Sequence, residues 1–530
     1  MNNRKIKGYY KVGLNLEKEA VISAHFMHSI NLNNNLQLFD EEKFIKSTCS
    51  INCKLIFDKL LPILLEASEK FIAERIQAAK LRARTNYQLY NLNSPDDITS
   101  SEIITEIMLD RQFLKGSRLN YSHALLYMQI KDRINQNKPI KMVIPALPYK
   151  SSSPLKTRGI LPDFAEINFL LGLSEIAKAI DYVYRENKPK LAESFSIFTV
   201  ICDGSRFNQF TNEPLEAIEE YQNYLKKWIK ELGIENFIEI LDYQMVIFNS
   251  LPTALKKQKK LIRENTIKNY NHIFIPLLDP NNMQDSLTNA IKSDPDPEES
   301  NIERRFVPLF KSLIYIIRYK ILNEYVKIHN KNYKSLYHEL TKNIFSSYVI
   351  LNKKEFENIT TFLSGENRKF KPKEEQILEY LRCAMLREAW EATIAYIAEI
   401  KSDRELEKEP ILICMPDHIR WTIHAKSGQL AVLTTTASGD PVQAWHGVGV
   451  FKNSQKGKIK LYALPVLSLE GNDAIPIIVT DDNKKKTDNF LSKYIQYNQP
   501  LFYIYPNIVF KDINELIDKI HMYITRKRKF

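Results

Sequence analysis

The feature that most restricts the fold of this chain is an alternation, from about residue 100, of short apolar runs with long helical segments. Strand candidates are Lys141–Ala146, Ser196–Ile201, Phe237–Leu241, His272–Leu277 and Ile411–Met415. Helix candidates are Phe164–Tyr184, Pro214–Leu232 and Ile377–Ile400. Such alternation is typical of a parallel sheet covered by helices. The predicted fold class is α/β, with a largely parallel, Rossmann-like sheet flanked by helices.

The remaining regions suggest how the 530 residues are divided. Apolar positions at helical spacing in Ile56–Tyr90 predict a mainly helical amino-terminal extension over residues 1–100. A catalytic domain is expected over 101–470, interrupted by an insertion at about 255–370, because Asp279–Glu303 is polar, acidic and punctuated by prolines. Residues 471–530 form a carboxyl-terminal segment with a basic tail. Gln429–Thr434 and Lys458–Val466 are predicted to be antiparallel strands flanking a turn at Ala444–Gly447.

Composition narrows the functional classes only partly. The net charge of +12 suits nucleic acid, anionic lipid or a phosphorylated small molecule, and the short basic runs lack interleaved aromatic residues. The five cysteines imply reduced thiols and no disulfide framework. No signal peptide and no uncharged window of about 18 residues is present. We therefore expect a soluble, cytoplasmic protein without membrane or nucleic-acid partners.

Several separated segments carry polar residues at the end of an apolar run, where α/β enzymes present catalytic groups. In the first, Lys150 and Ser151 follow the predicted strand Lys141–Ala146. An ammonium beside hydroxyl groups suits a phosphate or a carboxylate, so both residues are candidates for substrate binding. The alternative is an ordinary exposed loop lysine.

Two further segments place carboxylates at the ends of predicted elements. Asp163 stands at the N-cap of a long helix with Glu166 three residues on, as in a capping box, and both could also act in acid–base catalysis. Asp203 and Arg206 follow the strand Ser196–Ile201, at the edge where open α/β sheets bind ligands. A simple buried ion pair is the alternative for Asp203 and Arg206.

The remaining candidates are two histidines and two arginines. Arg420 and His424 would share one face of a strand, and His446 would bring a second imidazole on a neighbouring strand. Both histidines are candidate catalytic residues, and satisfied structural histidines are the alternative. Arg387 lies among apolar residues on a predicted helix, where an unpaired cation would be costly, so it is a candidate anion ligand together with Arg420.

No catalytic metal and no cofactor are expected. His25, His28, Cys49 and Cys53 are the best available ligand set, but their intervals do not match a common zinc finger. The sequence contains no glycine-rich phosphate loop, no dinucleotide fingerprint and no nucleophile elbow.

Taken in order, these segments resemble the isocyanide (isonitrile) synthases of the pyoverdine/dityrosine biosynthesis family. The resemblance rests on NKPIKMVIPALPYKSSSP, GILPDFAE, VICDGSRF, LREAWEATIAYI, IRWTIH and AWHGVGV, between about Ser100 and Lys460. It implies that the amine of an aromatic amino acid condenses with ribulose 5-phosphate to give an isonitrile in secondary metabolism. It also makes a downstream tailoring oxygenase a candidate partner.

The chain departs from the family pattern at three places. Arg206 is displaced by one position in DGSRF, RWTIH lacks the proline that usually follows the histidine, and Gln443–Ala444 replaces Thr-Pro. These changes leave open another amino acid substrate or an N-formyl product. A non-catalytic protein that kept the fold and binds a polyanion or a partner is the alternative from a different class.

Overall fold

The computed structural model of the chain contains two compact units that are described separately. The described residues are 48–115, 122–150, 157–187, 194–211, 215–271, 369–423, 429–433, 442–454, 457–470, 472–480 and 491–524, with 354, 358, 359 and 361 besides. In the smaller unit the described helices are α7 (Thr253–Asn271) and α8 (Glu374–Arg404). They are joined by a buried ion cluster in which Lys259 contacts Glu399 at 2.6 Å. The predicted strand His272–Leu277 and the segment Asp279–Glu303 lie outside the described residues.

The larger unit is organised around a five-stranded, fully parallel sheet. Its strands are β2 (Ile140–Pro145), β3 (Ser196–Cys202), β4 (Ile238–Asp242), β5 (His418–Thr422) and β6 (Leu430–Ala431), arranged in the order β4-β3-β2-β5-β6. The chain builds outward from β2 to β4 and then returns to the other side of β2. The strand order therefore reverses between β2 and β5, which is where open α/β sheets bind ligands at the carboxyl ends of their strands. The predicted α/β fold class is confirmed.

Two crossover helices connect the first three of these strands. Helix α4 (Phe164–Asn187) runs from β2 to β3, and α6 (Leu215–Glu231) follows the shorter α5 (Gly204–Thr211) from β3 to β4. The α4 sequence is apolar on nearly every side, and its residues are buried along most of its length. A helix of this kind must be covered all round.

A second sheet covers the side of α4 that faces away from the parallel sheet. It is mixed, and its strands are β1 (Cys49–Asn52), β7 (Val448–Asn453), β8 (Ile459–Leu464), β9 (Ile475–Thr480) and β10 (Pro500–Ile504). They are arranged in the order β1-β9-β10-β7-β8. Phe164 at the start of α4 packs against Phe451 and Phe502 of this sheet, with ring centroids 6.1 Å and 4.8 Å away.

The amino-terminal part of this unit is mainly helical, as predicted. A short helix at Cys53–Leu55 continues through a π-helical turn at Ile56–Leu60 into α1 (Leu61–Thr85), followed by α2 (Ser100–Met108) and α3 (His123–Asn135). Thr99 caps α2, and Glu102 closes a capping box with it.

Helices α1 and α2 are also joined by buried charges. Arg82 donates to the carboxylates of Glu106 at 3.1 Å and Asp110 at 2.9 Å. The hydroxyl of Tyr90 donates to Glu106 at 3.0 Å. These carboxylates are buried but fully paired, which is the condition under which the interior tolerates them.

The larger unit also contains three short helices. These are α9 (Pro410–Cys414) before β5, α10 (Val466–Glu470) and α11 (Ser492–Gln496). The chain's described part ends with α12 (Ile513–Tyr523). None of the helices in the described ranges is long and apolar enough to cross a membrane.

Three sequence predictions about secondary structure are wrong. Ile411–Met415 is not a strand, because Pro410 begins the helix α9 there. Proline suits the first position of a helix, and a short apolar run does not by itself distinguish strand from helix. The segment at Gln429–Thr434 contributes β6, which pairs parallel with β5 and not antiparallel beside the Ala444–Gly447 turn.

The third error concerns the strands around the predicted histidines. Strand β7, which follows the Ala444–Gly447 turn, pairs with β8 and β10 in the mixed sheet, whereas β5 belongs to the parallel sheet. His446 is therefore not on a strand that neighbours β5. The expected antiparallel strand at Lys458–Val466 is confirmed as β8.

Candidate functional site

The centre of the candidate site is a fully buried cluster of one ammonium and two carboxylates. Lys150 Nζ lies 2.7 Å from Asp163 Oδ2, and 2.8 Å and 3.0 Å from the two carboxylate oxygens of Glu166. None of the three side chains is exposed to solvent. Lys150 is therefore not an exposed loop lysine, because its ammonium is buried in contact with Asp163 and Glu166.

Local structure explains why the two carboxylates meet at this point. Asp163 caps α4, and its Oδ1 accepts hydrogen bonds from the backbone N–H groups of Ala165 at 2.7 Å and Gly449 at 3.0 Å. Glu166 closes the capping box by accepting from the backbone N–H of Asp163 at 2.9 Å. The capping role predicted for these residues is confirmed. The box leaves Asp163 Oδ2 and both oxygens of Glu166 directed at Lys150.

Gly449 is required by this arrangement. A Cβ at this position would lie 2.7 Å from Phe164 Cβ and 2.8 Å from the backbone nitrogen of Ala165. The absence of a side chain lets β7 approach the first turn of α4 and donate its N–H to Asp163.

Burial controls the protonation of the cluster. Desolvation raises the pKa of Glu166 to about 8, against the attraction of Lys150, and it also raises the pKa of Asp163. Desolvation alone would lower the pKa of Lys150, but attraction by the two carboxylates outweighs it and the pKa is raised. Because three ionised groups would leave a net negative charge in the interior, we infer that Glu166 is protonated at neutral pH.

The loop that leads into Asp163 is held by residues from the carboxyl-terminal part of the chain. The Gln499 side chain accepts from the backbone N–H of Leu161 at 3.0 Å and donates to its carbonyl at 2.7 Å. The Tyr494 hydroxyl donates to the carbonyl of Pro162 at 2.6 Å and accepts from Trp228 Nε1 at 2.9 Å. The position of Asp163 therefore depends on α11 and the residue before β10.

A second group of charges lies at the carboxyl ends of β3 and β4. Asp203 follows β3, and burial raises its pKa to about 6. The positive charges of Arg206 and Arg420 lower this pKa and so limit the rise. The Arg206 guanidinium lies over the ring of Tyr243 at 4.7 Å. Asp242, the last residue of β4, adds to the rise in the pKa of Asp203. This group combines cations with a carboxyl that titrates near neutral pH.

The loops after β2 and β3 touch each other. A Cβ at Gly204 would lie 1.9 Å from the carbonyl oxygen of Pro148, so only glycine permits this approach. Helix α6 contacts both groups through adjacent residues. The Tyr221 hydroxyl donates to Glu166 at 3.2 Å, and Gln222 Nε2 donates to Asp242 at 3.0 Å.

The structure thus brings Lys150, Asp163 and Glu166 into contact and sets Asp203 beside Arg206 and Arg420. Ser151 and His424 lie outside the described residues. Arg387 is on α8 in the smaller unit, and its side chain is likewise not described. His446 is exposed in a short 3₁₀ turn at Ala444–His446. The functional roles of all ten residues stay predictions.

Four residues that hold this site together are not among the candidates predicted from the sequence: Tyr221, Asp242, Tyr494 and Gln499. Asp242 could have been found, because it ends an apolar strand by the same rule that selected Asp203. The other three lie on helices or loops whose sequence carries no such signal. Their contacts span between 55 and 338 residues along the chain.

The comparisons with known proteins agree with the resemblance seen in the sequence. Residues 130–306 match the family model described as pyoverdine/dityrosine biosynthesis protein. The match covers about a third of the chain and shows that this segment is similar to that family. The recognition made from the sequence motifs is confirmed, and the matched segment contains Lys150, Asp163, Glu166, Asp203 and Arg206.

Individual relatives are named isonitrile synthases. The L-tyrosine isonitrile synthase of Xenorhabdus nematophila is 29% identical over 182 residues, which are 32% of this chain and 49% of that protein. The L-tryptophan isonitrile synthase AmbI1 of Fischerella ambigua is 26% identical over 133 residues, 24% of this chain and 39% of that protein. The chain therefore spans about half the length, or less, of these relatives.

A third relative and one solved structure come from Pseudomonas aeruginosa. Its L-tyrosine isonitrile synthase is 27% identical over 146 residues, 26% of this chain and 42% of that protein. The crystal structure of its PvcA protein aligns with a TM-score of 0.40 and 17% identity, covering 77% of this chain and 100% of that one.

Metal ligands do not cluster in the part of the chain described here. No group of three or more His, Cys, Asp or Glu side chains there could hold an ion. His25 and His28 lie outside the described residues, so the zinc alternative is not tested by the structure. Cys49 and Cys53 are partly buried, and the Cys53 thiol donates to the carbonyl of Thr480 at 3.8 Å.

Proposed function

We propose that this protein is an isonitrile synthase, which condenses the amine of an amino acid with the ketone of ribulose 5-phosphate. The observation that carries the proposal is the buried contact of Lys150 with Asp163 and Glu166, inside the segment that matches the family model. The names of the relatives support an amino acid as one substrate. An aromatic side chain is the first candidate.

The reaction needs acids and bases that change state near neutral pH. In the proposed mechanism Glu166 is the acid that protonates the departing hydroxyl when amine and ketone form an imine. Its pKa of about 8 keeps the proton available at neutral pH and lets the resulting carboxylate take up a proton later. Lys150 holds both carboxylates in place, and Asp163 remains the charged partner of the ammonium.

Two anionic groups on the substrates must also be bound. The phosphate of the sugar and the carboxylate of the amino acid each require a cation, and Arg206 and Arg420 near Asp203 are the described candidates. Ser151, Arg387, His424 and His446 stay predicted members of the site. Binding both substrates in one site converts their bimolecular encounter into a reaction between positioned groups. A downstream oxygenase that consumes the product also stays a prediction.

Label transfer tests this proposal. The pure protein is incubated with a mixture of amino acids and ribulose 5-phosphate carrying ¹³C at the carbon to be transferred. We expect the label in an isonitrile, trapped with a tetrazine and identified by mass. Label found in a formamide would show instead that the protein forms an N-formyl amino acid. Folded protein that transfers no label to any amino acid would overturn the proposal, and binding to polyanions that weakens steeply with salt would then support the non-catalytic alternative.

A further inference from the structure

Helix α6 contributes a side chain to the buried cluster that the motifs did not indicate. Tyr221 is fully buried, and its hydroxyl donates to Glu166 Oε1 at 3.2 Å. Its ring packs edge-on against Tyr149, the residue before Lys150, with centroids 5.9 Å apart. The ring contact fixes the direction of the hydroxyl relative to Glu166 and Lys150.

The contacts of Glu166 in the described structure give this hydroxyl a special chemical role. Its other donors are the Lys150 ammonium and the backbone N–H of Asp163. Neither an ammonium nor an amide N–H can accept a hydrogen bond from a protonated carboxyl group. A phenol hydroxyl both donates and accepts, so Tyr221 can donate to the Glu166 carboxylate and accept from the neutral acid.

We propose that Tyr221 is a positioning residue that fixes the orientation of the Glu166 carboxyl group and sets its protonation state. The inference rests on the proposed function, because it assigns Tyr221 the task of tuning the acid used there. A hydrogen bond to the charged form favours that form and is stronger than one to the neutral form. Loss of the hydroxyl should therefore make Glu166 a weaker acid.

Other titratable groups near this pair are few in the described part of the unit. Lys150 faces Glu166 from the loop after β2, Asp163 from the N-cap of α4, and Tyr494 from α11. Cys202 at the end of β3 faces Tyr221. Burial raises the pKa values of Tyr221, Tyr494 and Cys202 well above their ordinary ranges, so these groups do not titrate near neutral pH. Burial also raises the pKa of Asp163, so the Glu166 signal is separated from that of Asp163 by the band that Glu166→Gln removes.

The test is the Tyr221→Phe variant, in which the protonation of Glu166 is followed by infrared spectroscopy as pH is changed. The carboxylic-acid band of Glu166 is identified as the one that disappears in Glu166→Gln. We expect the midpoint to rise by on the order of one pH unit, because a hydrogen bond to a charged group is comparable to the free energy of one pKa unit. The alkaline limb of the pH profile of kcat/KM should move by the same amount. Tyr184→Phe is the matched control, since it removes a buried hydroxyl bonded to Asn137, about 27 Å further along α4.

A second substitution covers the case in which Tyr221→Phe does not fold. Replacing Tyr221 by 3-fluorotyrosine keeps the side chain and makes its hydroxyl a stronger donor, so the Glu166 midpoint should fall. An unchanged midpoint in both Tyr221 variants would overturn the proposal. If wild-type protein makes no isonitrile, the proposed function is wrong, but the role of Tyr221 can still be tested because the infrared titration does not require activity.

Discussion

Replacing Lys150 by methionine should destabilise the protein strongly and in a pH-dependent manner. The change keeps the length of the side chain but leaves Asp163 and Glu166 facing each other without a cation, and both are fully buried. Removing one partner of a buried ion pair costs about 3–5 kcal/mol. Since a domain is stable by about 5–15 kcal/mol, this cost takes a large part of the total.

The sign of the pH dependence follows from linkage. Without the ammonium, both carboxyl groups are protonated more readily in the folded state than in the unfolded chain. Between the unfolded and folded pKa values the folded state therefore binds more protons, so its stability falls as pH rises above about 4. We expect the destabilisation by Lys150→Met to be small at about pH 5 and largest at about pH 8.

Urea unfolding at both pH values measures this effect. Lys178→Met is the matched control, because Lys178 pairs at 2.7 Å with Glu69, whose side chain is 44% exposed. Such a pair contributes about 0–1 kcal/mol. Adding Glu166→Gln to Lys150→Met should recover part of the stability at high pH. An equal cost at both pH values, or one no larger than in Lys178→Met, would refute the assignment of a buried charged cluster.

Three further predictions concern the surroundings of the cluster. In wild-type protein the free energy of unfolding should fall by about 1.4 kcal/mol for each unit that pH rises between about pH 5 and pH 8. The reason is that the raised pKa of Glu166 makes the folded state bind one proton more than the unfolded chain. Urea unfolding of Glu166→Gln should lack this slope. Gly204→Ala should cost about 1–3 kcal/mol, measured by urea unfolding, since its Cβ would meet the Pro148 carbonyl, and an unaffected midpoint would contradict the loop contact. Gln499→Ala should cost about 2 kcal/mol or more by leaving the Leu161 backbone groups unpaired, whereas a neutral change would mean that water replaces the amide.

The parallel sheet could be predicted from the sequence because its strands are short apolar runs between long helices. The mixed sheet could not. Its strand β1 precedes its partner β9 by more than 400 residues, and nothing local in Cys49–Asn52 indicates that pairing. Pairing between distant strands is decided by tertiary packing, and local propensity does not contain that information.

The candidate site was predictable in its residue types but not in its contacts. Spacing within one helix turn was enough to place Asp163 and Glu166 together. The sequence could not show that Lys150 turns inward, because the segment PALPYKS is compatible with either an exposed or a buried lysine. The supports from Tyr221, Tyr494 and Gln499 come from elements that meet only in the folded protein.

The most direct test of the central claim is the rate of labelled isonitrile formation by Glu166→Gln, measured beside wild-type protein. The substitution keeps the size of the side chain and removes the proton that the proposed mechanism transfers. General acid–base catalysis contributes about 10²–10⁴-fold, so we predict a loss of at least about 100-fold in kcat with folding and ribulose 5-phosphate binding retained. Activity within a few fold of wild type, in a folded variant, would show that the buried cluster is structural and that the reaction uses other residues.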